Sequence, residues 1–276
     1  MPISELYLKK SLENFILEDV NFGDLTCDTV LSGERIRAVI ITKQKALLAG
    51  IDFAMEVFKL LGEVEVIKKL KDGQEVFENE TILEIEGDAK AILTGERVAL
   101  NLIQRLSGIA TLTKKLVKAL EGSGVKLLDT RKTTPGLRVF EKYAVRVGGG
   151  LNHRFGLFDA VMIKDNHKRA VGGVEIALKR AKERAGPFVK IIVEIENLEE
   201  LELALKIGAD VYTLDNFSPE DVKRAVEIKP EGAIYEVSGG INLENVLDYA
   251  IKGVDYISSG YITHSAKAID MSLRVI

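Results

Sequence analysis

The stretch KIIVEIENLEELELALKIGADVYTLDNFSPEDVKRAVEIK, residues 190–229, decides the fold. Two short β-branched runs, KIIVEIEN and ADVYTLDN, are each followed by a segment whose apolar residues recur at helical spacing, LEELELALKIG and then PEDVKRAVEIK. Strands and helices in strict alternation, joined by short loops, demand right-handed crossovers and a parallel sheet. The same rhythm continues outward. AIYEVSGG (233–240) and VDYISSG (254–260) lie downstream, VKLLDTR (125–131) and DAVMIKDN (159–166) upstream, and VFEKYAVRVGG, VEIALKRAKERAG and LENVLDYAIKG read as the intervening helices. Six such units are too few for an eight-fold barrel, so the pattern predicts an incomplete (β/α) barrel.

The chain before residue 125 follows a different rule. Residues 4–20 carry Leu8, Leu12, Phe15 and Ile16 at helical intervals behind a capping Ser4, and residues 35–93 alternate short strand-like runs with turns around one helix at 51–61. This is an α+β region. Residues 94–120 are expected to be helical from a Thr94 cap, with a break near Ser107-Gly108.

Composition narrows the chemistry. With 276 residues, 46% hydrophobic and 29% charged, the chain can bury a substantial core. A net charge of -4 argues against nucleic acid or an anionic membrane as partner. No apolar run approaches the ~20 residues of a membrane span, and MPISELYLKK lacks a signal-peptide pattern, so a cytoplasmic protein is expected. A single cysteine, Cys27, excludes a disulfide framework. The three histidines, His153, His167 and His264, form no i, i+4 pair and make a zinc site a poor expectation.

Active sites of such barrels sit at the C-terminal strand ends, and here every strand ends in polar residues. DTRKTTPGLR (129–138) supplies Asp129, Arg131 and Lys132, and the later ends supply Lys164 with Asp165, Asn166 and His167, then Glu194, Glu196, Asp215 and Asn216. Arg131, Lys132, His153, Arg154 and Lys164 together describe a pocket for a small ligand with several carboxylates or phosphates. In VFEKYAVRVGG, by contrast, Lys142 and Arg146 read as a solvated basic face. Glu194 and Glu196 are two apart and face one way on a strand. With Asp215 they suit Mg²⁺ or ribose hydroxyls, or else simply pair with Lys164. Ser238, Gly239 and Gly240, and Ser258, Ser259 and Gly260, follow the last two strands and could cradle phosphate with freed backbone N–H groups. No activated Ser or Cys nucleophile is evident, so transfer of a phosphorylated sugar by positioning and electrostatics is the chemistry indicated.

DTRKTTPGLRVFEKYAVRVGGGLNHRFGLFDAVMIKDNH (129–167), with ERVALNLIQRLSGIAT (96–111), VEIEN, LDNF, EVSGGI and ISSGYITHSAKAIDMSL, resembles the quinolinate phosphoribosyltransferase family, the carboxylating nicotinate-nucleotide pyrophosphorylases. The resemblance implies an N-terminal open α/β sandwich over residues 1–110, an incomplete α/β barrel over 111–267, and a tail, 268–276, as a candidate addition to the sandwich. It implies a homodimer, Mg²⁺, and transfer of phosphoribosyl from phosphoribosyl pyrophosphate to quinolinate with decarboxylation, a step of NAD biosynthesis. By motif it assigns the quinolinate carboxylates to Arg97, Arg131, His153, Arg154 and Lys164, with Lys132 close by and Arg97 reaching across the dimer. Glu196 and Asp215 are implied for the ribose hydroxyls and Mg²⁺, and Ser238, Gly239, Gly260 and His264, beside Gly240 and Ser259, for the phosphates. Lys132 and Lys164 are the proton-donor candidates. The rivals are molybdenum-operon paralogues, nicotinate phosphoribosyltransferases and an anion-binding regulator without turnover. A lipoyl-type carrier reading of DGQEVFENETILEIEGDAKAIL around Lys90 is disfavoured because no tight Asp-Lys-Ala turn is present.

Overall fold

The structure is a computed structural model, which describes residues 3–276. In chain order the elements are α1 (Glu5–Val20), α2 (Leu25–Val30), β1 (Arg35–Thr42), β2 (Ala46–Leu47), α3 (Ile51–Leu61), β3 (Val64–Lys69), β4 (Glu75–Val76), β5 (Thr81–Asp88) and α4 (Ala89–Ala119). Then come β6 (Lys126–Leu128), α5 (Arg138–Val147), β7 (Val161–Ile163), α6 (Asp165–Val171), α7 (Val174–Arg184), β8 (Ile191–Ile195), α8 (Leu198–Ile207), β9 (Val211–Asp215) and α9 (Pro219–Glu227). The chain closes with β10 (Tyr235–Ser238), a 3₁₀ turn (Val246–Tyr249), β11 (Tyr256–Ser258), α10 (Tyr261–His264) and β12 (Met271–Val275).

The chain forms two compact units. One holds the residues up to Leu112 with Pro135–Gly148 and Ala266–Ile276; the other holds Thr113–Thr134 and Gly149–Ser265. In the first, an antiparallel sheet has the order β12-β1-β5-β3, so the tail joins it as an edge strand paired to β1. Phe140 of α5 is fully buried there, with Phe15 of α1 and Phe53 of α3 at ring-centroid distances of 5.6 and 5.2 Å. Burial on this scale stabilises by roughly 1.5–3 kcal/mol per large side chain. Pro135–Gly148 therefore clusters with the first unit although the sequence reading put 111–267 in the barrel, and Lys142 is buried rather than on a solvated face.

The expected break at Ser107-Gly108 is absent, because α4 runs unbroken from Ala89, five residues before Thr94. Those two small residues make room instead. A Cβ on Gly108 would lie 2.2 Å from the Lys267 carbonyl oxygen, and Ser107 Oγ accepts from the Ala49 N–H at 3.0 Å. Glycine is kept in this helix by the passing backbone.

The second unit holds a six-stranded parallel sheet of order β6-β11-β10-β9-β8-β7 with α7, α8 and α9 on its outer face. Register explains the division of labour. Ile195, Leu214, Val237, Ile257 and Leu127 line up across the strands and are buried, facing the helices, where Leu178, Leu201 and Val222 are fully buried too. The alternate row, Glu194, Thr213, Glu236 and Tyr256, faces inward. Among the described residues the free edge of β6 is met by no further strand, only by Leu151, which bridges Leu128, so the sheet is an incomplete barrel as predicted. All six expected strands form, but LENVLDYAIKG yields only the 3₁₀ turn, and α6 was not foreseen. Among the described residues no helix is long and apolar enough to cross a membrane.

Candidate active site

The six strand ends converge on a cavity of about 560 Å³, a size that suits a small-molecule ligand. Arg131, Lys132, His153, Arg154 and Lys164 all line it. Arg131 and Arg154 each present a buried Nε without a hydrogen-bond partner, although Arg154 Nη1 donates to the Ala160 carbonyl at 2.8 Å. Burial pulls the Arg154 guanidinium below its ordinary range, and the neighbouring Arg131 adds to the effect. Two guanidiniums in one partly desolvated wall suit an anion with more than one charge.

His153 is held differently from the arginines. The buried carboxylate of Asp129 accepts from the His153 backbone N–H at 2.9 Å and from Asn152 Nδ2 at 2.6 Å, fixing the loop after α5. The Arg154 N–H donates to His153 Nδ1 at 2.7 Å, so Nδ1 is an acceptor and the ring proton sits on Nε2, which faces Glu236 Oε2 at 3.3 Å. Both ring nitrogens are thus engaged within the chain, which distinguishes His153 from a free cationic anchor.

The acids divide between wall and exterior. Glu194 and Asp215 line the cavity, Glu194 in an ion pair with Lys164. Burial pushes the Asp215 carboxyl above its ordinary range, while Lys164, Lys132 and the Asn216 side-chain amide, which donates to it at 2.9 Å, oppose that effect. Glu196, expected in the pocket, does not line it. It stands one residue past the end of β8, its carboxylate 3.1 Å from Lys168 Nζ and 3.7 Å from Arg169 Nη2 on α6. Among the described residues no three His, Cys, Asp or Glu side chains cluster as a protein-only metal cage. One or two carboxylates beside a wall of cationic and glycine-rich turns is the donor set that Mg²⁺ accepts when a phosphorylated substrate supplies further oxygens.

Glycine-rich turns complete the rim. Ser238, Gly239, Gly240, Ser259, Gly260 and His264 all line the cavity. Gly239 has φ +106°, and a Cβ there would sit 2.2 Å from Asn216 Oδ1 and 2.8 Å from its backbone nitrogen. Asn216 itself is left-handed at φ 57°, so the ends of β9 and β10 interlock only with glycine at 239. A Cβ on Gly260 would meet Lys132 Cδ at 2.8 Å and His264 Cδ2 at 3.1 Å, so that glycine lets both side chains approach the rim. Thr263 Oγ1 anchors the same corner by donating to the Lys132 carbonyl at 2.7 Å.

Arg97, which the resemblance assigns across a dimer, is exposed on α4 and does not line the cavity of its own chain. Glu236 was missed. Its position two before Ser238 on β10 puts it on the same inward face, and that period-two signal could have found it. It is almost wholly buried and accepts from Thr213 Oγ1 at 3.2 Å.

A barrel mouth so furnished suits a multiply anionic ligand, and the class of molecule it points to is an enzyme of phosphorylated-sugar transfer. The chain belongs to the quinolinate phosphoribosyl transferase family and is a phosphoribosyltransferase. The family's C-terminal domain model matches residues 109–274 and its N-terminal domain model residues 24–107. A Bacillus subtilis relative, named "Probable nicotinate-nucleotide pyrophosphorylase (carboxylating)", is 48% identical over 99% of this chain and 95% of its own length. The Mycobacterium leprae nicotinate-nucleotide pyrophosphorylase (carboxylating) is 40% identical over 96% of each chain. The solved nicotinate-nucleotide pyrophosphorylase of Francisella tularensis superposes with a TM-score of 0.93 at 43% identity, over 100% of this chain and 98% of that one.

Proposed function

We propose that this chain transfers the phosphoribosyl group of phosphoribosyl pyrophosphate to quinolinate and releases pyrophosphate, CO₂ and nicotinate mononucleotide, a step of NAD biosynthesis. The observation that carries this reading is the convergence of three cationic side chains, Arg131, Arg154 and Lys164, on one cavity. A pyridine with two adjacent carboxylates answers that demand; a single carboxylate leaves one cation unmet.

The chain's own groups then divide the work. Arg131, Arg154 and Lys164 hold the dicarboxylate so that the ring nitrogen faces the ribosyl carbon, which converts an encounter into a near-attack geometry. Asp215 and Glu194 take the ribose diol and stabilise the positive charge that grows on the ring as the bond to pyrophosphate breaks. Glu194 is preferred to Glu196 here because it lines the cavity. Ser238, Gly239, Gly240, Ser259, Gly260 and His264 receive the phosphates. Asp215, with Glu194, would hold Mg²⁺, which when bound supplies positive charge against the departing pyrophosphate. Loss of CO₂ leaves an electron pair on the adjacent ring carbon that takes a proton, for which Lys132 and Lys164, both on the cavity wall, are the candidates. The functional molecule is a homodimer in which Arg97, exposed and outside its own cavity, completes the partner's site.

The test supplies phosphoribosyl pyrophosphate, Mg²⁺ and either quinolinate or nicotinate, and follows mononucleotide and CO₂. Product from quinolinate alone is expected. Product from nicotinate alone, or from neither, rejects the reading.

A further inference from the structure

We propose that Lys168 is a positioning residue that keeps the Glu196 carboxylate out of the cavity, leaving Glu194 as the acid presented beside Asp215. The inference rests on the phosphoribosyl-transfer reading of the site, and its first observation is where strand geometry aims Glu196. Glu194 is registered with Thr213 and Ser238 with Asp215, so continuing β8 by one residue would put Glu196, two beyond Glu194, on the inward face level with Asp215. Yet its side chain turns away.

The cause is on α6. The side chain of Lys168 is only 4% exposed, and its ammonium is met by the Glu194 carbonyl at 2.9 Å, Glu200 Oε2 at 2.8 Å and Glu196 Oε2 at 3.1 Å. Glu200 tightens the clamp by also accepting from the Glu196 backbone N–H at 2.8 Å. Arg169, from the next position of α6, approaches the other carboxylate oxygen. Released, the Glu196 carboxylate would add a third negative charge where a pyrophosphate must sit beside Glu194 and Asp215. Like charges at that range oppose binding by an amount worth about tenfold in affinity.

Lys168→Met keeps the aliphatic stem and removes the ammonium. Glu196 is half-exposed and can be solvated, but Glu200, with a side chain only 15% exposed, loses its cation, so Lys168→Met is expected to be less stable than wild type and its folding is checked first by circular dichroism. Steady-state kinetics should show KM for phosphoribosyl pyrophosphate raised about tenfold, with kcat and KM for quinolinate within about twofold of wild type. Adding Glu196→Gln should restore KM, because the charge to be kept out is gone. A merely structural role for Lys168 predicts no such rescue. An unchanged KM in Lys168→Met, or a double variant as impaired as the single one, overturns the proposal. Should Lys168→Met not fold, Glu200→Gln loosens the same clamp, and an unchanged KM there overturns it equally. A crystal structure of Lys168→Met reads the geometry without turnover: the Glu196 carboxylate turned into the cavity is expected, and an unmoved one is fatal. Wild-type protein without product from quinolinate would sink the transfer reading and leave that crystallographic test standing.

Discussion

Arg131 and Arg154, which the proposed reading gives to the substrate carboxylates, carry a cost in the empty protein. Each guanidinium keeps a buried Nε unpaired, and their mutual repulsion helps to pull Arg154 down. Sites that bind anions this way trade stability for affinity. Arg131→Met should therefore raise the melting temperature of the ligand-free protein, by about 1 kcal/mol or about 2 °C for a chain of this size, while raising KM for quinolinate at least about tenfold. Differential scanning calorimetry with and without quinolinate checks both halves; a lower melting temperature in the free variant would contradict the stored repulsion. The sequence disclosed these cations because their residue types stand at strand ends, where such barrels keep their chemistry. It could not disclose that Glu196 is diverted, since the cause, Lys168, is 28 positions earlier on α6, in a helix that lacks a recognisable periodic run. The tautomer of His153 was equally hidden, because it depends on one backbone N–H and on Glu236, 83 positions later on the chain.

Elements are fixed by partners that lie far away in sequence. Helix α3 starts at Gly50, which has no side chain to cap it and adopts φ 93°. Asp72 does the capping from the turn after β3: its carboxylate accepts from Gly50 N–H at 2.8 Å and Ile51 N–H at 3.1 Å, and takes the Tyr143 hydroxyl at 2.7 Å. Burial and that carboxylate push the Tyr143 phenol well above its ordinary range, which keeps it a donor. Asp72→Ala should cost about 2 kcal/mol, the sum of a lost cap and an orphaned hydroxyl, and Tyr143→Phe clearly less. Chemical denaturation measures both, and equal losses would show that the cap contributes nothing. In sequence Asp72 is simply the second residue of a Lys-Asp-Gly turn. The parallel strands, by contrast, were legible in full, since β-branched runs buried on one face and polar at the end are hard to read otherwise. Where periodicity misled, tertiary contact decided: LENVLDYAIKG has helical spacing but forms one 3₁₀ turn, and the Ser-Gly pair of α4 reads as a break until the tail at Lys267 is seen against it.

At the scale of the whole molecule, the two units differ in how their sequence maps onto space. The parallel unit is built from consecutive βα steps, so local pattern predicts it; the first unit borrows Pro135–Gly148 and the tail, which no local pattern reveals. The remaining question is whether one chain contains a whole active site. Its cavity carries Arg131, Arg154 and Lys164, while Arg97 is exposed on α4 and lines no part of it. A shared site in a homodimer makes a quantitative prediction. Arg97→Ala protein and Lys164→Ala protein, each inactive alone, are mixed in equal amounts and allowed to exchange subunits. Random pairing makes half of the dimers mixed, and each mixed dimer has one site carrying both lesions and one carrying neither, so about a quarter of the wild-type rate should return. The fraction should not depend on which protein is added first, and it should rise with the exchange rate followed by native mass spectrometry. If mixed dimers form and the rate stays at background, Arg97 acts within its own chain and the composite site is rejected. If neither exchange nor recovery occurs, co-expression of the two variants from one plasmid supplies the mixed dimer directly, and the same quarter is expected of its random pairing.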